Sequence, residues 1–359
     1  MRVAHYVEQW LEISAGFVAD QVARSRHRGL VISRDGWLNL EAFPYRPRHG
    51  LHQVRQRVPE RLKYPVLRVQ LGTLLTAYRA PVVHVHFGYP ARDVLDVVDR
   101  RGYVLSLHGH DVTALPRERP GCFDGVTDRV DAVIVPSRFL ADRAERAGFP
   151  AERIVVIPSG VDTAFFTPSP LPDQPVVGFV GRLVEKKGLD VLMAAWPLIH
   201  SAMPDAGLVV LGDGPLAALV DGADPSVRRL RPDTARRADQ VRDVIRGSRV
   251  VVTPSRTAAN GDSESLLLVN LEAAASGRPV VSTRHGGIPE YVDDGATGLL
   301  VEEGDHVALA EAVLRVLRDA PLAARLGEAG VRRAAPLDAQ SCAARIDDLY
   351  DGVLAARPR

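Results

Sequence analysis

Two glutamates eight residues apart, Glu264 and Glu272, stand in the segment Thr253–Gly277, beside an alanine-rich apolar run. The run Leu266–Ala275 predicts a helix closed by Gly277, following a polar, turn-rich loop. Glu264 then sits at the mouth of that helix, and Glu272 lies about 12 Å further on at 1.5 Å of rise per residue. Backbone amides around Leu266–Val269 can hold a phosphate, and a carboxylate on either side can accept hydrogen bonds from sugar hydroxyls. One carboxylate would serve a sugar and the other a ribose. Spacing alone makes the pair weak evidence, because surface helices carry such pairs constantly. Glu272 is harder to read as part of a solvated face, since its helix is otherwise apolar.

A second cluster is Gly178-Phe-Val-Gly-Arg-Leu-Val-Glu-Lys-Lys-Gly-Leu-Asp190. A strand ends at Val180, Gly181 permits a tight turn, and Arg182 and Lys187 flank a loop that opens a helix near Gly188. Cations beside helix-start amides suit a diphosphate. A surface loop with casual charges fits the same spacing, and the residues by themselves leave both readings open.

These groups need a scaffold. With 359 residues the chain exceeds one ordinary core, so two domains are expected, and with them a cleft. A hydrophobic share of 46%, a charged share of 25% and a net charge of +1 describe an ordinary globular protein with no commitment to nucleic acid. The two cysteines, Cys122 and Cys342, belong to no metal or redox motif and suit a reducing compartment. Glu8, Glu12 and Asp20 interrupt any signal-peptide core, and no apolar run reaches the length of a membrane span, so a cytoplasmic protein is expected.

Short β-rich runs recur at Arg2–Val7, Leu30–Ser33, Val82–His86, Tyr103–Leu107, Ala132–Val135 and Ile154–Ile157, with helical periodicity between them at Ala91–Arg101 and Arg138–Gly148. That alternation predicts a parallel sheet wrapped by helices. The proline-dense stretch 168–175 interrupts it. The rhythm restarts with Val176–Val180, Gly207–Leu211, Arg249–Thr253, Pro279–Ser282 and Gly298–Val301. Domains at 1–168 and 169–335 follow, with a helical end at 336–359. Residues 41–79 depart from the pattern, with eight basic side chains (Arg46, Arg48, Arg55, Arg57, Arg61, Lys63, Arg68, Arg79) against Glu41 and Glu60. The bland reading is a solvated helix face. A patch at 46–68 meeting anionic lipid or a lipid-linked phosphate is the second reading.

The ordered set of motifs resembles the GT4 family of retaining glycosyltransferases. It comprises GRLVEKKG, LGDGP at 211–215, the Glu264–Glu272 spacing and HGGIPEYVDDGATGLLV at 285–301. HVHFG at 84–88, LHGHD at 107–111, VPSRFL at 135–140 and IPSGVDTAFF at 157–166 extend it through the first half. The resemblance implies an α/β protein of GT-B architecture: two Rossmann-like, doubly wound domains facing a cleft, the second binding the nucleotide sugar and the first the acceptor. By analogy the C-terminal helix crosses back to the first domain. It further implies that Arg182 and Lys187 neutralise the donor diphosphate, that Glu272 binds the ribose and Glu264 the donor sugar, and that amides near Leu267 and Leu268 hold a phosphate. His108 matches the family histidine near the reaction centre; without the resemblance it reads as a satisfied histidine at a strand end. Gly16, within SAGFVADQV, matches the loop that approaches the diphosphate.

The implied activity is transfer of a hexose, with retention and without a metal or other cofactor, from a nucleotide diphosphate sugar to a glycan, lipid-linked glycan or secondary-metabolite acceptor. A UDP-sugar is the expected donor, and polysaccharide or antibiotic biosynthesis the setting. Two cations can replace a divalent ion electrostatically, and no convincing DxD metal motif is present. Ser265 and Leu267 stand where relatives carry Gly and Gly or Pro, and Leu267 could narrow the donor pocket. The rivals are a GT-B sugar-nucleotide epimerase and a non-catalytic nucleotide-sugar-binding subunit; a two-carboxylate glycoside hydrolase would have no use for the diphosphate cations.

Overall fold

The computed structural model describes residues 1–9, 16–36, 48–51, 59–222, 224–234 and 236–357. Arg46, Arg55 and Arg57 of the basic stretch, Glu41, and Ser14 and Ala15 ahead of Gly16 lie outside the described residues. The chain divides into two compact units, Met1–Ser159 with Ala339–Arg359, and Gly160–Asp338.

The first unit is built on a parallel sheet of β1 (Arg2–Val7), β2 (Arg28–Ser33), β3 (Arg48–Gly50), β4 (Val82–His86), β5 (Gly102–Ser106), β6 (Ala132–Val135) and β7 (Ile154–Val156), in the order β3-β2-β1-β4-β5-β6-β7. A parallel sheet covered on both faces needs apolar residues on both. Along β4, alternate side chains serve opposite cores. Val83 and Val85 join Leu67, Leu71 and Leu75 of the helix Glu60–Tyr78, while Val82 joins Cys342, Ile346, Tyr350 and Val353 of the helix Ala339–Ala355. The terminal helix is also tied by polar contacts. The buried Asp347 carboxylate accepts from Ser25 Oγ at 2.5 Å and from the Arg26 N–H at 2.8 Å, just beyond the helix Gly16–Arg24.

In place of the expected helix over 91–101 there is only a 3-10 turn, Ala91–Val94, followed by further i to i+3 hydrogen bonds such as Val97 N–H to Val94 O. Ala91, Val94 and Val98 still reach the core at helical spacing, but three valines within five residues weaken helix propagation.

The second unit carries β8 (Val176–Val180), β9 (Gly207–Leu211), β10 (Val227–Leu230), β11 (Val250–Thr253), β12 (Val280–Thr283) and β13 (Gly298–Val301), all parallel, in the order β10-β9-β8-β11-β12-β13. The proline-dense stretch belongs to this unit. The buried Arg278 guanidinium holds it by donating to the Ser169 and Pro170 carbonyls at 2.7 and 2.9 Å.

Both sheets start centrally, wind outward in one direction, and then return to wind in the other. Such an order opens a crevice at the carboxyl ends of the two strands where the direction reverses, and ligands of open α/β sheets bind there. In the first unit those strands are β1 and β4, and in the second they are β8 and β11.

Candidate functional site

The loops leaving β8 and β11 carry the second unit's candidate residues. After β8 the chain turns through Arg182, forms a 3-10 turn Glu185–Lys187, and enters the helix Leu189–Ala202 at Gly188. After β11 it runs through 254–267 into the helix Leu268–Ala275. That helix starts two residues later than the apolar run suggests, so Glu264 precedes it by an extended turn and the helical rise applies only from Leu268 to Glu272. Its end is a Schellman closure. Gly277, at φ 72°, donates to Ala274 O and Arg278 N–H reaches Ala273 O.

The two loops meet through charge. Lys187 Nζ lies 2.9 Å from Glu264 Oε1, Lys186 Nζ lies 3.6 Å from the same oxygen, and Lys186 pairs with Asp262 at 2.9 Å. Burial disfavours an ionised Glu264, but Lys187, Lys186 and Arg182 together outweigh it and hold the carboxyl down at about 2. The same burial lowers Lys187, with Glu264 opposing. Arg182 is exposed at the turn. Excess positive charge beside the first-turn amides of a helix is an anion site. Leu267 caps that helix through its backbone, and its side chain is 3% exposed and packed in the unit's core. Leu268 opens the helix.

Glu272 faces a different environment. Burial pushes its carboxyl up to about 7, against the opposing charge of Arg237, which also feels Arg182. A carboxylate so poised gains from hydrogen-bond donors such as vicinal hydroxyls. Arg182, Lys187, Glu264, Leu267, Leu268 and Glu272 therefore share one end of the second unit's sheet.

In the first unit the structure brings Gly16 and His108 together. Gly16 opens the helix that follows β1, and the ring of the next residue, Phe17, lies 4.8 Å from the His108 ring, which also meets Phe87 at 4.6 Å. Burial holds His108 down to about 3, so it is neutral at physiological pH. Its Nε2 has no hydrogen-bond partner among the described residues. Asp111 fixes the surrounding loops: its buried carboxylate accepts the N–H groups of Gly88, His108 and Gly109 at 3.2, 3.0 and 2.9 Å. Phe87, at φ 70°, is a strained turn of the kind found beside functional sites.

The imidazoles of His5, His84 and His86 bring one nitrogen each within 4.8 Å of the others. The His84 and His86 rings are tilted by 30° with centroids 4.0 Å apart, and both nitrogens of His84 are occupied, by Tyr350 Oη at 2.5 Å and Ser106 Oγ at 2.7 Å. Burial lowers all three; His5 Nδ1 lies 3.1 Å from His86 Nε2, while His5 Nε2 and His86 Nδ1 have no hydrogen-bond partner among the described residues.

Sequence reasoning missed Lys186, Asp262, Arg237, His285 and Glu303. Lys186 is the immediate neighbour of Lys187, Asp262 stands two residues before Glu264, and His285 opens the motif at 285–301, so each lay in a segment already singled out; Arg237 and Glu303 owe their place to folding of distant segments.

Known proteins are similar to this chain along most of its length. The profile described as Glycosyltransferase Family 4 matches residues 12–165, and that described as Glycosyl transferases group 1 matches 174–319. The GDP-mannose-dependent alpha-(1-6)-phosphatidylinositol monomannoside mannosyltransferase of Mycolicibacterium smegmatis is 30% identical over 345 residues, covering 90% of this chain and 88% of the relative. The putative colanic acid biosynthesis glycosyltransferase WcaL of Escherichia coli is 32% identical over 260 residues, 68% of this chain and 64% of its own. Among solved structures, HepE of Anabaena in complex with UDP superposes with a TM-score of 0.79 at 19% identity, covering 98% of this chain and all of that one. A Rickettsia africae glycosyltransferase superposes at 0.81 with 17% identity and 99% of both chains.

Proposed function

Since the chain belongs to glycosyltransferase family 4, with the GT-B fold and a nucleotide sugar as donor, we propose that it is a retaining, metal-independent hexosyltransferase acting on a lipid-carried glycan. The observation that carries this reading is the cluster of Arg182, Lys186 and Lys187 around Glu264 at the second unit's switch point.

In the proposed reaction Arg182 and Lys187 bind the donor diphosphate with the amides of Leu267 and Leu268, Glu272 accepts the ribose hydroxyls, and Glu264 orients the transferred sugar. The first unit supplies Gly16 toward the diphosphate and His108 toward the sugar, as the family resemblance implies. The anomeric C–O bond to the diphosphate breaks, a new bond forms to the acceptor oxygen on the same face, and the acceptor's proton passes to the departing phosphate oxygen. Catalysis then rests on stabilising charge on the leaving group and on holding both sugars in register. The two cations supply the electrostatic work of a divalent ion.

GDP-mannose is the first donor to test beside the UDP-hexoses, because relatives aligned over nine-tenths of the chain carry that donor in their names. Their phosphatidylinositol acceptor supports a lipid-carried glycan. So does the helix Glu60–Tyr78, which exposes Leu62 and Val69 (43% and 70%) beside Arg61 and Lys63, a surface suited to anionic headgroups. No helix among the described residues is long and apolar enough to cross a membrane; the exposed basic face of the helix Glu60–Tyr78 is what supports a peripheral contact at the cytoplasmic face as the proposed placement.

The test is nucleotide release from GDP-mannose and UDP-hexoses with and without a lipid-linked glycan, in EDTA, with the product anomer read by NMR. Acceptor-dependent release, an α-linked product from an α-donor and full activity in EDTA are expected. Activity lost in EDTA and restored by magnesium would overturn the metal-independent reading, and an inverted product the retaining one.

A further inference from the structure

Glu264 must be held still by something other than the lysines it attracts, and the structure shows what holds it. His285, 1% exposed just beyond β12, places Nε2 2.9 Å from the Glu264 amide nitrogen and Nδ1 2.6 Å from Glu303 Oε1. A peptide N–H can only donate, so Nε2 accepts and the ring proton sits on Nδ1, from which it is donated to Glu303. The other Glu303 oxygen accepts the Thr257 N–H at 2.8 Å. The Glu264 carbonyl in turn accepts from the Gly287 N–H at 3.3 Å. One carboxylate thus fastens both ends of the loop 257–264, and the Glu264 peptide is gripped at its N–H and its C=O by residues 285–287.

We infer that His285 and Glu303 are positioning residues for the donor sugar: they fix the Glu264 peptide so that its carboxylate presents one orientation to the transferred hexose. The inference rests on the proposed role of Glu264 toward that sugar. It goes beyond it by separating two functions of the site. In the proposed site the diphosphate is held by Arg182, Lys187 and the helix amides, and among the described residues His285 hydrogen-bonds to the Glu264 N–H and Glu303 and to none of those groups. A broken brace therefore costs sugar alignment and leaves nucleotide affinity standing. A register error at the reacting carbon is expensive in rate even when binding survives.

The experiment uses the full chain with H285F, H285Q, E303A and E264Q, measuring kcat with the donor that the nucleotide-release screen selects and Kd for the matching free nucleoside diphosphate by calorimetry. H285F is expected to lower kcat at least tenfold with the nucleotide Kd within twofold of wild type. H285Q is expected to recover most of that loss, because its amide oxygen can take the Glu264 N–H, and E303A to fall between them. Wild-type kcat in H285F, equal impairment in H285F and H285Q, or nucleotide affinity falling in step with kcat would each overturn the brace. Should H285F not fold, the partly exposed Glu303 carries the test, and wild-type kcat in E303A refutes the inference. An active E264Q would remove the role of Glu264 and the brace with it, whereas an inactive E264Q beside active H285F and E303A would remove the brace alone.

Discussion

Glu264 and Glu272 are the same side chain tuned in opposite directions, one held near 2 by surrounding cations after burial is overcome, the other lifted to about 7 by burial itself. The consequences for stability differ in sign. Glu272 ionises in the unfolded chain near 4.5 but in the folded chain only near 7, so the folded state loses ground as pH rises between those values. Above pH 7 the penalty is constant, about 3 kcal/mol at 1.4 kcal/mol per unit. Replacing Glu272 with Gln should therefore raise Tm at pH 8, leave it nearly unchanged at pH 4.5, and weaken nucleotide binding at least tenfold by removing the ribose acceptor. Thermal melts at the two pH values and calorimetry check both halves; an E272Q protein less stable than wild type at pH 8 would contradict the burial argument. Glu264 runs the other way: its stabilisation is complete above its unfolded value and is lost as pH falls toward 2. Lys187→Ala removes a cation from the diphosphate and strands Glu264, so a loss of about 2 kcal/mol in kcat/KM is expected, with near-normal turnover the refuting result. At this scale the sequence was legible where chemistry is local. Arg182, Lys187 and the glutamate pair lie in two short motifs, whereas His285 meets Glu264 across 21 residues and Arg237 reaches Glu272 from another helix, contacts that no spacing rule announces.

The elements that present these residues depend on close backbone approach. Gly188 takes φ 66° at the entrance to the helix Leu189–Ala202, and a Cβ there would stand 1.8 Å from the Pro254 carbonyl oxygen. The loops after β8 and β11 can touch only because that position has no side chain. Gly188→Ala should separate Lys187 from Glu264 and cost more than tenfold in kcat/KM together with several degrees in Tm; wild-type activity in this variant would show that the loop contact is dispensable. LGDGP at 211–215 finds its physical reason at the same place, since a Cβ on Gly212 would lie 2.1 Å from the Gly181 carbonyl oxygen. Element boundaries were readable where apolar runs coincide with capping residues, as at Ala320–Ala334, whose Asp319 side chain accepts the Leu322 N–H. They were not readable for β3, only three residues long, or for β10, whose Val-Arg-Arg-Leu lacks an apolar run and is held by its ladder to β9. Pro65 and a diffuse apolar pattern likewise left the bounds of the helix Glu60–Tyr78 unread, although a solvated helix face is expected within 41–79.

At the scale of the whole molecule, alternating strand and helix signals were enough to read two parallel α/β halves, because each strand buried on both faces must be apolar throughout. The destination of the last helix was not readable from periodicity, which states that Ala339–Ala355 has an apolar face but not what covers it. The structure answers with Tyr350 on His84 and with Asp347 on Ser25 and Arg26, all inside the first unit. Each unit also has its own hydrophobic clusters, so a defect in one core and a ligand on the other unit's loops should be read in different segments of the chain. Asp347→Ala removes the acceptor of the partly buried Ser25 hydroxyl and Arg26 N–H, a cost of about 1 kcal/mol, and should speed hydrogen exchange in 339–355 and in β2. The nucleoside diphosphate of the selected donor, at a hundred times its Kd, stabilises the state that binds it by about 2.7 kcal/mol and should slow exchange at 181–188 and 254–268. In the Asp347→Ala protein that nucleotide protection should persist at full strength, because the diphosphate cations and the helix amides belong to a unit that the substitution does not enter. Protection lost at 181–188 in this variant would contradict a diphosphate site resting on the second unit's own residues, and protection absent in wild type would remove Arg182 and Lys187 from the donor altogether.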